Sequence, residues 1–451
     1  MKTINNILLI IGMLLPTLFF SCTEEDAGNP TFGDQDMPII HMDWVENYAF
    51  RVGDVINMQP QISPSDGATY KWLFDGNVIS TDKNVEYTLN EAGTFTLQFE
   101  VERNGVKNSR VATVLVVKPF VPKAYSRKSI AYLTVDGSVA DVPWDDISHL
   151  IVSSSVVEES GLPDATFGGK NTLDISTLIA TAHNYGVFVM LEFSGIISYL
   201  NAVHSYGSLT FYNAAVSSGR EVLADNLVKM AVDNNFDGIN IYMDKADDGV
   251  FKDPETLKDF YEKLGSKAKA VKHTIDDADY PYLLSLSVYA GWTNASLLNV
   301  VNIPEYDWIN VLAFAAEDLT PVPHSASWYF TDQITQWLNW YGVAPSRIVG
   351  VVPAFGLRYF GTVSDYTWGN LWQYTEYIPY RTLCAAYSDA QNVNQQSVDN
   401  GLFYDGFPAV DEKAQFVKTN NLAGMALWSV DSDSRDAAKS LMKRINNQLG
   451  N

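Results

Sequence analysis

The stretch FDGINIYMD, residues 236 to 244, alternates apolar residues with polar or aromatic ones, which is typical of a β-strand. Three apolar side chains fall on one face of such a strand: Ile239, Ile241 and Met243. The opposite face carries Asn240, Tyr242 and Asp244, which step toward the end of the strand. Core packing alone does not favour this second face, so it is a candidate functional site.

Seven further apolar runs of strand length occur from residue 126 onward. They are IAYLTVDG, HLIVSSSV, GVFVMLEFSG, YLLSLSVYAG, DWINVLAFAA, RIVGVVPAFG and LAGMALWSVDSD. Stretches of helical period, such as residues 218–234 and 253–272, separate them. This alternation predicts a parallel sheet covered by helices, and eight such units predict an α/β fold of the (β/α)8 TIM-barrel type. The alternative is an open doubly wound sheet, which usually stops at about five to seven strands.

Residues 37–118 have a different pattern, with short alternating runs such as VEYTLN and GTFTLQFEVERNG between Gly, Asp and Asn turns. A period of two at this spacing predicts an all-β sandwich. Trp72, followed by DGN and later by EAGTFTLQFEV, resembles the polycystic-kidney-disease (PKD) or immunoglobulin-like modules of secreted carbohydrate enzymes. The resemblance implies a spacer, with glycan binding as the alternative. We assign the barrel to residues 119–451.

The amino terminus has the pattern of an export signal. Lys2 precedes the apolar run ILLIIGMLLPTLFF, which is too short for a settled transmembrane helix. Residues 1–21 resemble a bacterial lipoprotein signal, which implies that Cys22 becomes lipidated. Residues 22–36 are expected to form a flexible tether. Their acidic part, TEEDAG, resembles a surface-export signal of glycan-degrading Gram-negative bacteria, with a plain tether as the alternative.

The chain is strongly acidic, with a formal net charge of -23 at pH 7. Such a surface repels nucleic acid and anionic lipid, so we expect no nucleic-acid partner and membrane contact through the lipid anchor only. Cys22 and Cys384 are the only cysteines, which excludes a disulfide scaffold. A Gly-rich nucleotide loop and residue sets with metal-ligand spacing are both missing from the sequence, so we expect neither a cofactor nor a metal.

From residue 126 to residue 448 the eight strands, in order, resemble glycoside hydrolase family 18, the chitinases and endo-β-N-acetylglucosaminidases. The stretch KAQFVKTNNLAGMALWSVDSD matches the lysine, glycine, tryptophan and terminal aspartate of the family's eighth strand. GVVPAFG resembles the family's Gly-x-Pro-x-Tyr-Gly, with Phe355 in place of the tyrosine. FDGINIYMD aligns with the fourth-strand pattern Asp-Gly-x-Asp-x-Asp-x-Glu.

The resemblance implies substrate-assisted hydrolysis, in which the glutamate protonates the glycosidic oxygen and the preceding aspartate stabilises the substrate's acetamido group. Here Asp237 and Gly238 are kept, whereas Asn240 and Tyr242 replace the inner aspartates and Asp244 replaces the glutamate. Losing one preorganised electrostatic partner costs about 2.7 to 4 kcal/mol. We therefore expect a non-catalytic barrel. The alternative is a slow hydrolase with Asp244 as general acid.

Two other strands depart from the family pattern at the same subsite. Residues 312–315 replace the family's Met-x-Tyr-Asp with Leu-Ala-Phe-Ala, which lacks both the hydroxyl and the carboxylate. EFSG replaces Ser-x-Gly-Gly on the third strand. Losses on separate strands favour a retired catalytic centre. An alternative for Asn240, Tyr242 and Asp244 is a hydrogen-bonded plug, which is compatible with lost catalysis.

Trp428 ends the eighth strand, where the family has a tryptophan under a sugar ring, so we expect it to contact carbohydrate, with core packing as the alternative. Four other aromatic residues at strand ends are expected to line the same cleft: Tyr132, Tyr289, Trp292 and Phe314. Asn240 and Tyr242 complete the predicted carbohydrate site. Asp431 and Asp433 are expected to cap the next helix or to bond sugar hydroxyls.

Residues 357–381, after the seventh strand, are rich in aromatic residues. Four of them have two interpretations: Tyr366, Trp368, Trp372 and Tyr374. They could form a wall of outer sugar subsites, or they could bury an insertion.

These patterns predict a lipid-anchored protein, exposed at the cell outer membrane, that captures glycans containing N-acetylglucosamine without turnover. The expected partners are an oligosaccharide or glycoprotein glycan and, as further candidates, outer-membrane proteins of glycan uptake. Two alternatives remain open. One is the slow endo-acting hydrolase, and the other is a structural component of a glycan-uptake complex.

Overall fold

A computed structural model of the chain describes residues 37–158, 160–166, 169–194, 207–243, 253–289, 301–314 and 319–451. Contacts divide the chain into two compact units between Phe120 and Val121. Several predictions lie outside the described residues: the signal segment 1–21, Cys22, the tether 22–36, Asp244 and Trp292. These stay predictions.

Eight parallel strands form a barrel in the second unit, and we number them β1 to β8. Their bounds are Lys128–Thr134, His149–Val157, Phe188–Ser194, Gly238–Tyr242, Leu283–Tyr289, Trp308–Leu312, Ile348–Pro353 and Gly424–Trp428. Each strand pairs with the next along the chain, and β8 pairs with β1, so the sheet closes on itself. The predicted TIM barrel is confirmed, and the closure excludes the open doubly wound sheet.

Helices follow the strands in the described parts of this unit. Their bounds are Ile175–Asn184, Gly207–Val216, Arg220–Asp233, Pro254–Lys269, Ser327–Asn339, Tyr380–Ala386, Phe407–Thr419 and Leu441–Leu449. The helices predicted within residues 218–234 and 253–272 are confirmed. The second begins where Asp253 accepts a hydrogen bond from the Thr256 amide and Pro254 takes the first helical position. Among the described residues, no helix combines the length and apolar character needed to cross a membrane.

The barrel strands divide their side chains between two hydrophobic clusters. The outer cluster joins the strands to the helices and includes Ile239, Ile241 and Met243 of the β4 segment. The inner cluster fills the barrel axis and includes Tyr242 and Trp428. The strand parity predicted from FDGINIYMD is therefore confirmed for residues 239 to 243.

An insertion after β7 has its own antiparallel sheet. Its strands are Phe355–Tyr359, Thr375–Pro379, Gln395–Gln396 and Gly401–Phe403. A small apolar cluster supports it: Leu357, Tyr359, Tyr366 and Leu371. Elsewhere, the short strand Pro163–Asp164 pairs with β2, and His273–Ile275 forms a hairpin with Ala278–Tyr280.

The first unit is rich in strands. Their bounds are Ile39–His41, Asn47–Arg51, Val55–Met58, Gln61–Ser63, Thr69–Phe74, Asn77–Ser80, Val85–Thr88, Gly93–Arg103 and Val106–Val117. Trp72 is fully buried at its centre, and its ring stacks on Phe99 with the centroids 4.3 Å apart. The predicted all-β, immunoglobulin-like module is confirmed.

Candidate functional site

Asn240 and Tyr242 of β4 face the barrel axis. Tyr242 packs in the inner cluster, and the side chain of Asn240 forms hydrogen bonds with residues of β3 and β5. Both side chains are buried. The third predicted residue of this face, Asp244, follows β4 just outside the described residues.

Asn240 is the centre of a polar row that crosses four neighbouring strands. The sheet register places these residues side by side: Ser153, Glu192, Asn240 and Ser285. The amide nitrogen of Asn240 donates to Glu192 Oε2 at 2.5 Å and to Ser287 Oγ at 2.8 Å. Its amide oxygen accepts from Ser285 Oγ at 2.6 Å and from Asn310 Nδ2 at 3.2 Å. Asn240 thus uses its full hydrogen-bonding capacity inside the barrel.

Glu192 brings a fully buried carboxyl group into this row. Its Oε1 accepts a hydrogen bond from Ser153 Oγ at 2.6 Å, and its Oε2 accepts from Asn240. Burial raises the pKa of Glu192 to about 7, because the two hydrogen bonds offset only part of the cost of burying a charge. In mildly acidic solution the carboxyl group is therefore neutral.

Glu192 is not among the residues predicted from the sequence, because EFSG departs from the family pattern Ser-x-Gly-Gly on this strand. Strand parity within the run GVFVMLEFSG is a sequence signal that could have found this residue. Met190 belongs to the inner cluster, and Glu192 lies two residues further along the same strand, so both side chains point to the same face.

Further polar groups extend the network toward β1 and β6. The hydroxyl groups of Tyr132 and Ser287 lie 2.8 Å apart, and the Trp308 indole nitrogen donates to Asn310 Oδ1 at 3.0 Å. Burial, together with the nearby Glu192 carboxyl, raises the pKa of Tyr132 well above its ordinary value. Tyr132 is therefore a neutral, hydrogen-bonded member of the barrel interior.

Aromatic rings surround the end of β8. The ring of Trp428 lies 4.6 Å from that of Tyr132 and 5.9 Å from that of Tyr242, centroid to centroid. Only 3% of Trp428 is exposed, and Phe314 is fully buried beside Phe355. A sugar stacks on an open ring face, so binding on Trp428 requires its neighbours to move. The predicted carbohydrate contacts of these residues stay predictions.

Asp237, the first retained residue of the family pattern, is a structural clamp. Its carboxylate accepts hydrogen bonds from His183 Nε2 and His273 Nε2, both at 3.0 Å, and from the Val189 amide at 2.6 Å. Burial opposes ionisation, but the histidine hydrogen bonds outweigh it and hold the pKa of Asp237 below its usual range. The clamp lies at the amino end of β4, away from the end where barrel sites form.

Gly238, the second retained residue, is required for strand packing. A Cβ atom at this position would lie 2.3 Å from the carbonyl oxygen of Leu283 on β5. That distance is far below van der Waals contact, so a larger residue would push β4 and β5 apart. Both retained residues therefore hold the strand and have no role in the predicted chemistry.

The acidic residues after Trp428 also make structural contacts. Asp433 accepts hydrogen bonds from the first two backbone amides of the helix Leu441–Leu449, at 2.9 and 3.0 Å, which confirms the predicted helix cap. Asp431 accepts from the Thr134 amide at 3.0 Å and from its hydroxyl at 2.9 Å. It thereby ties the end of β8 to β1.

The interpretation that the aromatic residues bury an insertion is confirmed for two of the four, and the wall of outer sugar subsites stays a prediction. Tyr366 is buried and packs against Tyr374 with a centroid distance of 5.1 Å, so this pair belongs to the core of the insertion. Trp368 and Trp372 are 67% and 50% exposed. At least half of each of these two side chains is thus accessible to solvent.

Five predicted site residues come together around the barrel axis: Asn240, Tyr242, Tyr132, Phe314 and Trp428. Tyr289 ends β5 opposite Leu312, but its side chain lies outside the described atoms, as do Trp292 and Asp244. Within the described ranges, no group of three or more His, Cys, Asp or Glu side chains is arranged to hold a metal ion.

Comparison with known proteins identifies both units. Residues 124–433 match the Glycosyl hydrolases family 18, and residues 38–103 match the PKD-like domain. A chitinase from Bacteroides thetaiotaomicron is similar in structure, with 19% identity and a TM-score of 0.56 over 72% of this chain and 96% of that one. At that identity the likeness concerns the fold.

Two other solved structures are similar over 72% of this chain and 100% of their own. One is a chitinase-like agglutinin from Robinia pseudoacacia, with 16% identity and a TM-score of 0.54. The other is YKL-39, solved in the presence of chitooligosaccharides, with 17% identity and a TM-score of 0.52. The closed barrel and the family match agree over most of the chain. This chain therefore belongs to glycosyl hydrolases family 18 and carries a PKD-like domain before its barrel.

Proposed function

We propose that this protein captures glycans containing N-acetylglucosamine, such as N-glycan or chitin-like chains, without hydrolysing them. It does so as a lipoprotein exposed at the bacterial outer membrane. The observation that carries the proposal is that Asn240 and Tyr242, at the positions of the family's inner aspartates, are both buried and face the barrel axis.

The neutral side chains of Asn240 and Tyr242 are unsuited to the family reaction. Positive charge that develops on the substrate's acetamido group needs an anion beside it, and Tyr242 supplies none at neutral pH. Each missing electrostatic partner costs about 2.7 to 4 kcal/mol of transition-state stabilisation. Glu192 is no replacement, because both of its oxygens are engaged by Ser153 and Asn240 in a row below Tyr242.

Two proteins of similar fold support the class of ligand. The agglutinin from Robinia pseudoacacia is described as chitinase-like, and YKL-39 was solved in the presence of chitooligosaccharides. A barrel of this fold has thus been solved together with chitooligosaccharides, which supports the proposed class of ligand.

The anchor part of the proposal rests on residues 1–36, with Cys22 as the lipidated residue. A Cys22→Ala variant should leave the membrane fraction of expressing cells, while the unmodified protein should stay in it. Release of both proteins on cell lysis would contradict the anchor and would leave the glycan proposal intact.

Isothermal titration calorimetry of the full-length protein in detergent tests the glycan proposal. Chitotetraose or a complex N-glycan should give a saturable heat, and chromatography should recover the ligand uncut. The absence of heat with every N-acetylglucosamine oligosaccharide would overturn the proposal. If an outer-membrane transporter then co-purified without sugar dependence, the structural role in an uptake complex would replace it.

A further inference from the structure

Three basic residues lie around one cavity of the barrel unit, although the chain as a whole is strongly acidic. The cavity has a volume of about 400 Å³, and its lining includes Arg381, Arg435 and Lys439. Pockets for small molecules have volumes of about 300 to 1,000 Å³, so this cavity is large enough for one. A basic cavity calls for an explanation in a chain with a net charge of -23.

The cavity lies where loops after three barrel strands come together. Arg381 belongs to the short helix Tyr380–Ala386 after the β7 insertion, and residues 434–439 connect β8 to the last helix. Asp141, which follows β1, contacts both segments. Loops that follow barrel strands form the face on which barrels place their binding sites. The residues that line the cavity are different from those of the inner cluster, so this is a separate site.

A buried carboxylate holds the two arginines in place. Asp141 Oδ1 accepts hydrogen bonds from Arg381 Nη2 and Arg435 Nε, both at 2.8 Å, and its side chain is 4% exposed. Its Oδ2 accepts from the amide and the hydroxyl of Ser138. Burial opposes ionisation, but the hydrogen bonds from Ser138 and the arginines outweigh it and hold the pKa of Asp141 below its usual range. The guanidinium groups are therefore positioned before a ligand arrives.

Donor groups remain for a ligand after these contacts are made. Asp141 holds Arg381 through Nη2 and Arg435 through Nε and Nη2, so neither ion pair uses an Nη1 group. The ammonium group of Lys439 has three donors, and one of them bonds the Cys384 carbonyl oxygen at 3.1 Å. The side chains of Arg381 and Arg435 are 34% and 59% exposed, so both are accessible from solution.

The charge and the donors of the cavity suit a carboxylate. The lining residues, taken together with Asp141, have one net positive charge, because Asp141 and Asp436 offset two of the three basic side chains. A guanidinium group presents parallel N–H donors that match the two oxygens of a carboxylate. A phosphate monoester carries about 1.5 to 2 negative charges at pH 7, whereas a carboxylate carries one. The carboxylate therefore matches the surplus more closely.

We infer that this cavity binds the carboxylate of an acidic sugar residue through Arg381, Arg435 and Lys439. The identification of the ligand as a sugar rests on the proposed glycan-binding function, whereas the preference for a carboxylate rests on the charge and the donors of the cavity. The site lets the protein recognise glycans that contain a uronic acid or N-acetylneuraminic acid, in addition to any contact at the barrel axis.

Ligand-observed NMR titration of the full-length protein in detergent tests this inference. Glucuronic acid has a carboxylate where glucose has a hydroxymethyl group, and N-acetylneuraminic acid is titrated in parallel. Saturable binding is expected for an acidic sugar and not for glucose. The Arg381→Gln/Lys439→Gln variant should bind the acidic sugar about tenfold more weakly, equal to about 1.4 kcal/mol. The variant should still fold, because Arg435 and Ser138 continue to hold Asp141.

The matched control is Arg358→Gln/Lys263→Gln, which removes the same charge outside the cavity. These side chains are 35% and 33% exposed, close to the 34% of Arg381. The control should bind as the unmodified protein does, and urea unfolding of both variants checks that they are folded. If the Arg381→Gln/Lys439→Gln variant is unfolded, Lys439→Gln alone makes the same test, with an expected loss of about threefold.

Equal binding of glucose, unchanged binding in the cavity variant or an equal loss in the control would overturn the inference. Binding of inorganic sulfate without binding of either acidic sugar would also overturn it, because the cavity would then hold a free oxyanion. Acidic-sugar binding that is lost in the cavity variant, with no heat from any N-acetylglucosamine oligosaccharide, would support the site and contradict the proposed function. Chitotetraose heat without binding of an acidic sugar would have the reverse meaning.

Discussion

The side-chain amide of Asn240 donates a hydrogen bond of 2.5 Å to the carboxyl group of Glu192 on the neighbouring strand. This contact, together with the one from Ser153, holds a fully buried carboxyl group on the barrel axis beside a position where family 18 has an inner aspartate. The carboxyl group is buried among neutral partners, and its pKa is raised to about 7 because burial makes the ionised form less stable.

Stability should fall as the pH rises through the range in which Glu192 ionises. In the unfolded chain Glu192 has its ordinary pKa of 4.5, whereas in the fold the pKa is about 7. Between these values the folded state holds the proton more tightly, so the free energy of unfolding decreases by up to about 3 kcal/mol with rising pH. Glu192→Gln should remove this decrease. Urea unfolding at pH 4.5 to 8 measures the free energy of unfolding of both proteins. The same dependence on pH in the unmodified protein and in Glu192→Gln would contradict the prediction.

Asn240→Asp should create a pair of carboxyl groups that compete for one proton. The nitrogen that donates in the 2.5 Å contact becomes an oxygen, which cannot donate when both carboxyl groups are ionised. The free energy of unfolding of the variant should therefore fall by about 2 to 3 kcal/mol at pH 8, and much of it should return near pH 5, where one carboxyl group is protonated. Adding Glu192→Gln supplies a neutral partner and should restore stability at pH 8. An additive double-mutant cycle would show that the two side chains are not coupled.

Gly238→Ala should destabilise the barrel by about 3 kcal/mol or prevent folding, because its Cβ would lie 2.3 Å from the Leu283 carbonyl oxygen. Gly219→Ala is a matched control, since the nearest atom to its Cβ, Ser217 Oγ, is 3.5 Å away. It should change the free energy of unfolding by less than about 1 kcal/mol. Chemical denaturation compares the two variants. Equal stabilities would refute the packing role of Gly238.

Trp428→Ala should cost about 3 to 5 kcal/mol of stability, because it opens a cavity beside Tyr132 and Tyr242. Trp368→Ala should stay within about 0.5 kcal/mol of the unmodified protein, since that indole is 67% exposed. The denaturant midpoints of the two variants, compared with that of the unmodified protein, measure both changes in stability. A small cost for Trp428→Ala would indicate that its ring is not part of the packed interior.

Sequence patterns predicted the features that depend on neighbouring positions. The alternation in FDGINIYMD was enough to direct Asn240 and Tyr242 inward, and an aspartate ahead of a helix was enough to expect the cap formed by Asp433. Eight strand-like runs with helices between them were enough for the barrel, because the fold repeats one local unit.

Features that depend on pairing between strands were out of reach. Glu192 meets Asn240 across 48 positions of the chain, and Asp237 meets His183 across 54, so neither partner follows from spacing. The ring contacts of Trp428 likewise come from β1 and β4, which are far from it in the sequence. A residue kept from a catalytic pattern can therefore be structural, as Asp237 is.

The most direct test of a barrel that binds without hydrolysis is a search for product at high enzyme concentration. Full-length protein and its Asp244→Asn variant are incubated with chitotetraose and with a labelled glycoprotein, and released reducing ends are counted by mass spectrometry. We expect no release above that of the Asp244→Asn variant over many hours. Turnover at an ordinary enzyme rate, about 1 per second or faster, that disappears in Asp244→Asn would contradict the account.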